Sequence, residues 1–302
     1  MEFKLKILIT IVNYNTSELL AYLLFSLFRI VGHELLRCCD ILIVDNNSID
    51  DSKSIIEIFK QQELIKAIFN PKQMYHGPAL NQGLKIAIRE EYDIFWIIDS
   101  DVVVLRAGII KNAIDSFESQ QVDMMAQSNR YSKAHGSCMM LRVSTIKKLQ
   151  GHFVHGGNVT RNLEKKYRRF GATIRNFPFR NKYYILHVGC GTRKAIKDMG
   201  DTTNAWYKDV ADCSPWYHGD LYAPTIHNNF KQLFRKEVPN ITPQILYEAC
   251  IKRNKFKLIL PKRAHINPRI LPPTPRGIRK RAKEAKKDLS DRSALVFPAT
   301  LK

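Results

Sequence analysis

The sequence lacks the features of a secreted or membrane-spanning protein. Its six cysteines include no C-x-x-C pair, and the segment MEFKLKILIT has none of the regions that make up a cleavable signal peptide. The most apolar helical stretch, residues 19–31, is 13 residues long, whereas roughly 20 are needed to cross a bilayer. These absences favour a reducing, cytoplasmic compartment.

Acidic residues are scarce: 28 Asp and Glu stand against 48 Lys and Arg, for a net charge of +20. Residues 252–302 hold 16 of the basic and three of the acidic residues, so this segment carries +13 and leaves +7 for residues 1–251. Within it, a proline-rich stretch (261–275) precedes the basic sequence RGIRKRAKEAKKDL (276–289). Such an extension favours an anionic partner, either nucleic acid, a membrane surface or a phosphorylated acceptor. A solvated tail is the alternative.

Apolar residues make up 45% of the 302 positions, enough for a sizeable core. β-branched runs at 6–11, 40–44, 65–69 and 94–98 alternate with helical patterns at 19–31, 52–62 and 78–89. Strands that alternate with helices indicate an α/β fold with a mostly parallel sheet flanked by helices.

Polar residues occur where the predicted strands end. Asn13 and Tyr14 follow the first strand, and the run FWIIDSDVVVL (95–105) carries Asp99 and Asp101 just past the last strand. Because ligands of such sheets bind at the carboxyl ends of the strands, we expect these side chains to share one edge. Two carboxylates at i and i+2 suit Mg²⁺ or Mn²⁺ together with substrate phosphates.

The ordered blocks ILITIVNYNTSELL, ILIVDNNSIDDS, GPALNQGLKIA and FWIIDSDVVVL resemble the family-two glycosyltransferases, which have the GT-A (Rossmann-like) fold. Weaker similarity continues through GSCMMLRVSTIKKLQGHF (136–153) and HVGCGTRK (187–194). The resemblance implies a nucleotide-sugar-binding half over residues 1–105, an acceptor-binding half over 106–250, and a basic extension, proline-rich and helical, over 251–302.

The resemblance also implies roles for individual residues. Those expected to contact the nucleotide sugar are Tyr14, Asp45, Asn81, Gly83 and Asp99. Those expected to bind the Mn²⁺ or Mg²⁺ ion are Asp99, Asp101 and His187. Purely structural roles are the alternative: a strand-end aromatic for Tyr14, a turn for Asp45, helix packing for Asn81 and Gly83, and a core histidine for His187.

The acidic pair that supplies the catalytic base in inverting relatives is missing. Val159, Thr160 and Asn162 stand where acidic residues are expected, in HGGNVTRNLEKKYRRFG (155–171). A shifted alignment would offer other carboxylates: Glu164, Asp198, Asp201, Asp209 or Asp212. His155, with Asn158 capping the following helix, is a second candidate. A retaining mechanism needs no dedicated base, and a protein that binds without turnover is the last alternative.

The sequence therefore predicts a metal-dependent hexosyl- or pentosyltransferase that uses a nucleotide sugar, with UDP-sugars favoured. Most relatives of this kind build envelope polysaccharide or lipid-linked glycan at the inner face of a membrane, so an acceptor of this class is favoured. The basic, aromatic stretch 161–182 fits an acceptor that carries phosphate. A nucleic-acid acceptor, such as a hydroxymethylated base of viral DNA, is the first alternative, and a non-catalytic adaptor for an anionic partner is the second.

A nucleotidyltransferase is disfavoured, because NYNTSELL replaces the glycine-rich basic loop that such an enzyme carries after its first strand. The oligomeric state is not predicted.

Overall fold

The fold is organised around one seven-stranded sheet and a separate pair of short strands. The structure, a computed structural model, describes residues 5–32, 38–119, 121–127, 135–154, 159–176, 185–188 and 223–252. The strands are β1 (Ile7–Asn13), β2 (Cys39–Asp45), β3 (Lys66–Phe69), β4 (Ile94–Ile98), β5 (Val102–Val104), β6 (Met124–Gln127), β7 (His135–Arg142), β8 (Ile174–Asn176) and β9 (Ile185–His187). The helices are α1 (Ser17–Ser26), α2 (Ser52–Gln61), α3 (His76–Arg89), α4 (Ile109–Ser119), α5 (Val143–Lys148), α6 (Arg161–Arg169), α7 (Ala223–Glu237) and α8 (Pro243–Ile251).

The strand order of the large sheet is β3-β2-β1-β4-β7-β6-β8. The first four strands run parallel to one another, as the alternating pattern predicts. Strand β7 pairs antiparallel with both β4 and β6, and β8 returns parallel to β6. The two predicted halves therefore share one continuous sheet, joined where β4 meets β7.

Helices cover both faces of this sheet. The chain steps from β1 to β2 to β3 in one direction and then returns to β4, so right-handed crossovers place α1 and α2 on one face and α3 on the other. On the α3 face, side chains of the sheet pack with those of α3, α5 and α6. This cluster includes Leu80 of α3, Tyr167 of α6 and Phe153 of the segment between α5 and α6. On the α1 face, Tyr22 and Phe25 make edge-to-face ring contacts with Phe234 of α7. Both faces are buried, which explains why β4 is apolar at every position.

The element bounds follow the sequence pattern closely in the first half. Strand β4 has the predicted bounds, while β1 begins one residue later than predicted and extends two residues further. Regular helix α1 ends at Ser26 and continues as a wider helical turn over Leu27–Val31, which closes at Gly32 with φ of 52°. Helix α3 begins at His76, two residues before the predicted start.

None of the helices in the described ranges is long and apolar enough to cross a membrane. The basic extension falls outside the described residues, except for Ile251 and Lys252.

Candidate functional site

Polar side chains meet at the carboxyl edge of the parallel strands. The register pairs Asn13, the last residue of β1, with Asp45, the last residue of β2. On the other side of β1, Thr10 pairs with Ile97, so the end of β4 and the following Asp99 lie at the same edge. The apolar strands are the reason that these groups converge, because strands of matched length and register end together.

Asp99, Asp101 and His187 form a compact cluster at this edge. One ligand atom from each lies within 4.8 Å of the other two. His187 Nε2 is 3.1 Å from Asp101 Oδ1 and 3.9 Å from Asp99 Oδ2. The structure thus brings together the three residues that the resemblance implies as metal ligands.

The backbone of the Asp99–Asp101 loop is fixed on both sides. The Asp99 N–H donates to the Ser137 carbonyl in β7, and the Val188 N–H donates to the Asp101 carbonyl. His187 reaches the loop because β9 pairs antiparallel with β5, with His187 opposite Val102. The two-stranded sheet therefore holds the histidine against the carboxylates, about 85 residues away in sequence.

Burial and mutual proximity shift the pKa values of this cluster. Desolvation, with the nearby Asp101 carboxylate, raises the pKa of Asp99, although His76 and His187 act in the opposite direction. Burial opposes the charged form of His187, but the Asp101 and Asp99 carboxylates outweigh it and raise the pKa of His187. A cation at this position would be stabilised by both carboxylates.

Asp45 lies at the centre of a buried hydrogen-bond network. Its Oδ1 accepts from Asn13 Nδ2 at 2.9 Å and from the Ser48 hydroxyl at 2.6 Å, and its Oδ2 accepts from the Ser48 N–H at 2.8 Å. The side chain is fully buried. These contacts are those of a turn-forming aspartate, and contact with the base of a nucleotide stays a prediction.

Hydroxyl groups connect this network to the Asp99–Asp101 loop. The Thr16 hydroxyl donates to Asn13 Oδ1 at 2.7 Å and lies 3.0 Å from the hydroxyl of Ser100. Thr16 precedes α1 but does not cap it with its side chain, and Ser100 is only 4% exposed. Asn13 and Thr16 therefore link the ends of β1 and β2 to the loop that carries the carboxylates.

Asn81 and Gly83 have packing roles in α3. The Asn81 amide bonds the backbone of Phe153 twice, donating to its carbonyl and accepting from its N–H, each at 2.8 Å. A Cβ on Gly83 would lie 2.6 Å from Thr10 Cγ2, so glycine lets α3 approach β1 closely. Nucleotide contact by either residue stays a prediction.

Tyr14 and His76 complete the described part of the edge. Tyr14 follows β1 and is 9% exposed, and its contact with the nucleotide also stays a prediction. His76 begins α3 and places Nε2 at 3.5 Å from Asp99 Oδ1. The preceding Tyr75 has a φ of 63° and is 40% exposed, and its carbonyl accepts from Asn46 Nδ2.

Of the base candidates, Glu164 is described and His155 and Asp209 are not. Glu164 lies in the first turn of α6 and accepts from Arg168 Nε at 3.0 Å and from Arg168 Nη2 at 2.7 Å. Asp198, Asp201, Asp212 and the proposed cap Asn158 also lie outside the described residues. Thr160 occupies the position before α6.

The family model for glycosyl transferase family 2 matches residues 8–196, well over half of the chain. The chain belongs to glycosyl transferase family 2. This membership and the observed strand order confirm the predicted GT-A fold, a mostly parallel sheet flanked by helices. A search of curated protein sequences finds no match to this chain.

Solved structures with a similar fold include two glycosyltransferase complexes with nucleotides and Mn²⁺. The mannosyltransferase PcManGT from Pyrobaculum calidifontis, in complex with GDP-Man and Mn²⁺, is 14% identical, with 82% of this chain and 73% of that chain covered and a TM-score of 0.49. Glucosyl-3-phosphoglycerate synthase from Mycobacterium tuberculosis, with Mn²⁺, UDP and glucosyl-3-phosphoglycerate, is 15% identical, with 57% and 70% covered and a TM-score of 0.45. At this level of identity the similarity concerns the fold alone.

TarS from S. aureus is a third similar structure. The complex of its residues 1–349 with UDP-GlcNAc is 17% identical, with 57% of this chain and 56% of that chain covered and a TM-score of 0.47. This chain therefore spans less than two thirds of that TarS fragment.

Sequence reasoning missed several residues of the site. It did not single out Thr16, Ser48 or Ser100, which lie two or three residues past a strand end, or His76, which begins α3. The position of His76, directly before the GPALNQG block, is the one sequence signal that could have identified it. The hydroxyl residues carry no distinctive signal, because Ser and Thr are common in turns.

Proposed function

We propose that this chain transfers a sugar from a nucleotide-sugar donor to a hydroxyl group, with a divalent cation held by Asp99, Asp101 and His187. The observation that supports this proposal is the convergence of the three side chains at the carboxyl edge of a GT-A sheet. Membership of glycosyl transferase family 2 supports the reaction type.

The donor set suits Mn²⁺ or Mg²⁺. Two carboxylates and an imidazole are ligands that Mn²⁺ accepts, and Mg²⁺ takes carboxylates together with substrate phosphates. Asp99 Oδ1 is buried and accepts no hydrogen bond from the described residues, although His76 Nε2 lies 3.5 Å away, so a bound cation would satisfy this oxygen. A cation bound there supplies a Lewis acid that stabilises the negative charge of the departing diphosphate.

The residues of the chain perform the positioning. Asp99 and Asp101 are held by backbone hydrogen bonds to Ser137 and Val188, which preorganises them before the donor arrives. We place the nucleoside beside Tyr14 and the Asn13–Asp45 network, because these groups adjoin the loop through Thr16 and Ser100. His76, which faces the opposite oxygen of Asp99 from His187, would orient that carboxylate.

The base that takes the proton from the acceptor is a separate proposal. Glu164 is the described candidate, and its carboxylate forms an ion pair with Arg168 at 2.7 Å. His155 and Asp209 remain alternatives, and a retaining mechanism would need none of them.

For the acceptor we propose an envelope glycan or a lipid-linked glycan, with nucleic acid as the alternative. The basic composition of 161–182 and of the C-terminal extension supports an anionic acceptor in either case. We propose a UDP-sugar as donor and a cytoplasmic location with contact to the inner face of a membrane. The turnover assay described next also distinguishes transfer of a hexose from transfer of a pentose.

Nucleotide-sugar turnover tests the proposal. Purified protein is offered a panel of UDP- and GDP-sugars with Mn²⁺, Mg²⁺ or chelator, and the released nucleotide is measured. We expect release with at least one donor, stimulated by metal and lost in Asp101→Asn. Asp115→Asn is the matched control, because this exposed carboxylate on α4 pairs only with Lys111 among the described residues. Full activity of Asp101→Asn in chelator would contradict the proposal.

A further inference from the structure

Helix α6 divides its residues sharply between a buried and a charged side. Leu163 and Tyr167, four residues apart, are fully buried against the sheet. Lys165, Arg168 and Arg169 are exposed on the remaining surface. The helix is therefore anchored by two side chains, and its outward surface is basic.

Helix α5 ends beside this surface and adds to its charge. The Lys166 ammonium donates to the Gln150 carbonyl at 3.2 Å, two residues beyond the end of α5 at Lys148. A Cβ on Gly151 would lie 2.6 Å from Ile146 Cγ1 and 2.8 Å from Leu163 Cδ1, so the two helices pack closely here. Together α5 and α6 carry seven Lys and Arg residues against one acid, Glu164, which is paired with Arg168.

A large aromatic ring projects from the end of this basic surface. Phe170, directly after α6, is 56% exposed, although most large apolar side chains of the described core are buried. Gly171, with φ of 74°, directly follows Phe170 and turns the chain away from the helix axis at this point. Helices that lie at the boundary between lipid headgroups and acyl chains combine exposed Lys and Arg with exposed large apolar side chains such as Phe.

We infer that α6 and the end of α5 dock on an anionic membrane surface through a basic face formed by Lys147, Lys148, Lys165, Arg168, Arg169 and Phe170. The basic side chains attract anionic headgroups and the Phe170 ring enters the interface. Nucleic acid would also attract the charge. The exposed Phe170 favours lipid over duplex nucleic acid, because the outside of a duplex presents phosphates and sugars and keeps the apolar faces of the bases stacked inside.

Helix α6 runs from the edge that carries the candidate site toward the opposite edge of the sheet. Helix α6 begins after Thr160, and a Cβ on Gly136 would lie 3.1 Å from Thr160 Cγ2. Gly136 precedes Ser137, whose carbonyl holds the Asp99 N–H. A nine-residue helix is about 14 Å long, and it ends just before β8, whose first residue Ile174 pairs with Met124 at the amino edge of the sheet. The end of the basic face therefore lies toward the edge of the sheet opposite the carboxylates. The inference rests on the membrane contact proposed above and names the surface that makes it, but it does not depend on the transfer reaction.

Partition of the full-length chain into vesicles tests the inference. Phosphatidylcholine vesicles with and without phosphatidylglycerol are sedimented with wild type, Lys165→Ala/Arg169→Ala, Phe170→Ser and the control Arg235→Ala/Lys236→Ala. The control removes two exposed basic residues from the end of α7 and leaves the C-terminal extension intact.

We expect each basic residue of the face to contribute roughly fivefold to partition into anionic vesicles, so Lys165→Ala/Arg169→Ala should lose roughly 25-fold. Phe170→Ser should lose about fivefold, since over half of the ring is available for burial, and its remaining binding should fall more steeply with salt. The control should match wild type, and binding to neutral vesicles should be weak throughout.

Three results would overturn the inference. Equal partition of the face variants and the control would make the face an ordinary solvated surface. A loss of affinity for duplex DNA without a loss for vesicles would assign the face to nucleic acid. Unchanged partition of Phe170→Ser would show that the Phe170 ring does not enter the lipid interface. None of these measurements uses a sugar donor, so they are independent of the turnover assay.

Discussion

At the scale of single residues, Asp45 combines a structural environment with a proposed binding role. Its carboxylate is fully buried and accepts hydrogen bonds from Asn13 and Ser48. Asp45→Ala should lower the free energy of unfolding by roughly 1–3 kcal/mol, because buried donors lose their acceptor. It should also weaken binding of UDP by roughly 1–3 kcal/mol if Asp45 reads the base. Urea denaturation and calorimetric titration measure the two effects separately.

Ser48→Ala is the matched control for Asp45. It disturbs the same network, since the Ser48 hydroxyl also accepts from the Asn15 N–H at 2.9 Å, but it keeps the carboxylate. Loss of stability with unchanged UDP affinity in Asp45→Ala would show that Asp45 only forms the turn. Equal losses of affinity in both variants would assign the effect to the shape of the loop.

The sequence identified the positions of the site better than their surroundings. Asp99 and Asp101 could be placed at a strand end from the apolar run alone, and the approach of His187 came from family resemblance. The burial of Asp45 could not be predicted, because it depends on how Asn13 and Ser48 close around the carboxylate. Side-chain partners of this kind are fixed by the tertiary fold and leave no periodic signal.

At the scale of secondary-structure elements, Gly83 sets the distance between α3 and β1. Its missing Cβ would lie 2.6 Å from Thr10 Cγ2 and 2.7 Å from Thr10 Oγ1. Gly83→Ala should therefore destabilise the protein by roughly 1–3 kcal/mol through overpacking, even though alanine is the better helix former by about 1 kcal/mol. Urea denaturation measures the difference.

Thr10→Ala removes the two closest atoms and leaves the Cβ of residue 10 at 3.2 Å. In that background, Gly83→Ala should cost clearly less than in the wild type, because the remaining contact is milder and the helix propensity of alanine offsets it by up to about 1 kcal/mol. The same destabilisation in both backgrounds would mean that the glycine serves something other than contact with Thr10.

Elements with strong local signals were predictable, and those made by distant pairing were not. The five apolar residues of β4 fix its bounds, and the helical spacing of α2 places it within one residue. The pairing of β7 between β4 and β6, and of β9 with β5, joins segments far apart in sequence. Short strands such as β5 and β9 have three residues each, too few for a periodic pattern, so tertiary contacts decide their partners.

At the scale of the whole molecule, most of the excess positive charge lies in a different part of the sequence from the residues assigned to the donor. Residues 252–302 carry a net charge of +13, and all residues assigned to the metal and the nucleotide precede them. Truncation after Leu260 should leave donor hydrolysis unchanged and weaken binding to the anionic partner. The extension should act alongside the basic face of α5 and α6, because both attract the same class of surface.

Salt dependence distinguishes the partners of the extension. If it binds duplex DNA, the affinity should fall steeply with salt, because about 0.9 counterion is released for each phosphate that the protein neutralises. Truncation should then flatten the slope of log affinity against log salt concentration. If it binds a membrane, truncation should reduce sedimentation with anionic vesicles instead. Equal salt dependence and equal sedimentation with vesicles for the full-length and the truncated protein would show that the extension is a solvated tail.

The central claim is that Asp99, Asp101 and His187 form one divalent-cation site, and Mn²⁺ binding tests it directly. Electron paramagnetic resonance reports free Mn²⁺ during titration of the wild type, Asp101→Asn and the control Asp115→Asn. We predict a saturable Mn²⁺ site in the wild type and the control that is strongly weakened in Asp101→Asn, and that tightens when UDP is added because its phosphates supply further oxygen ligands. Identical Mn²⁺ binding by Asp101→Asn and the wild type, with and without UDP, would contradict the account.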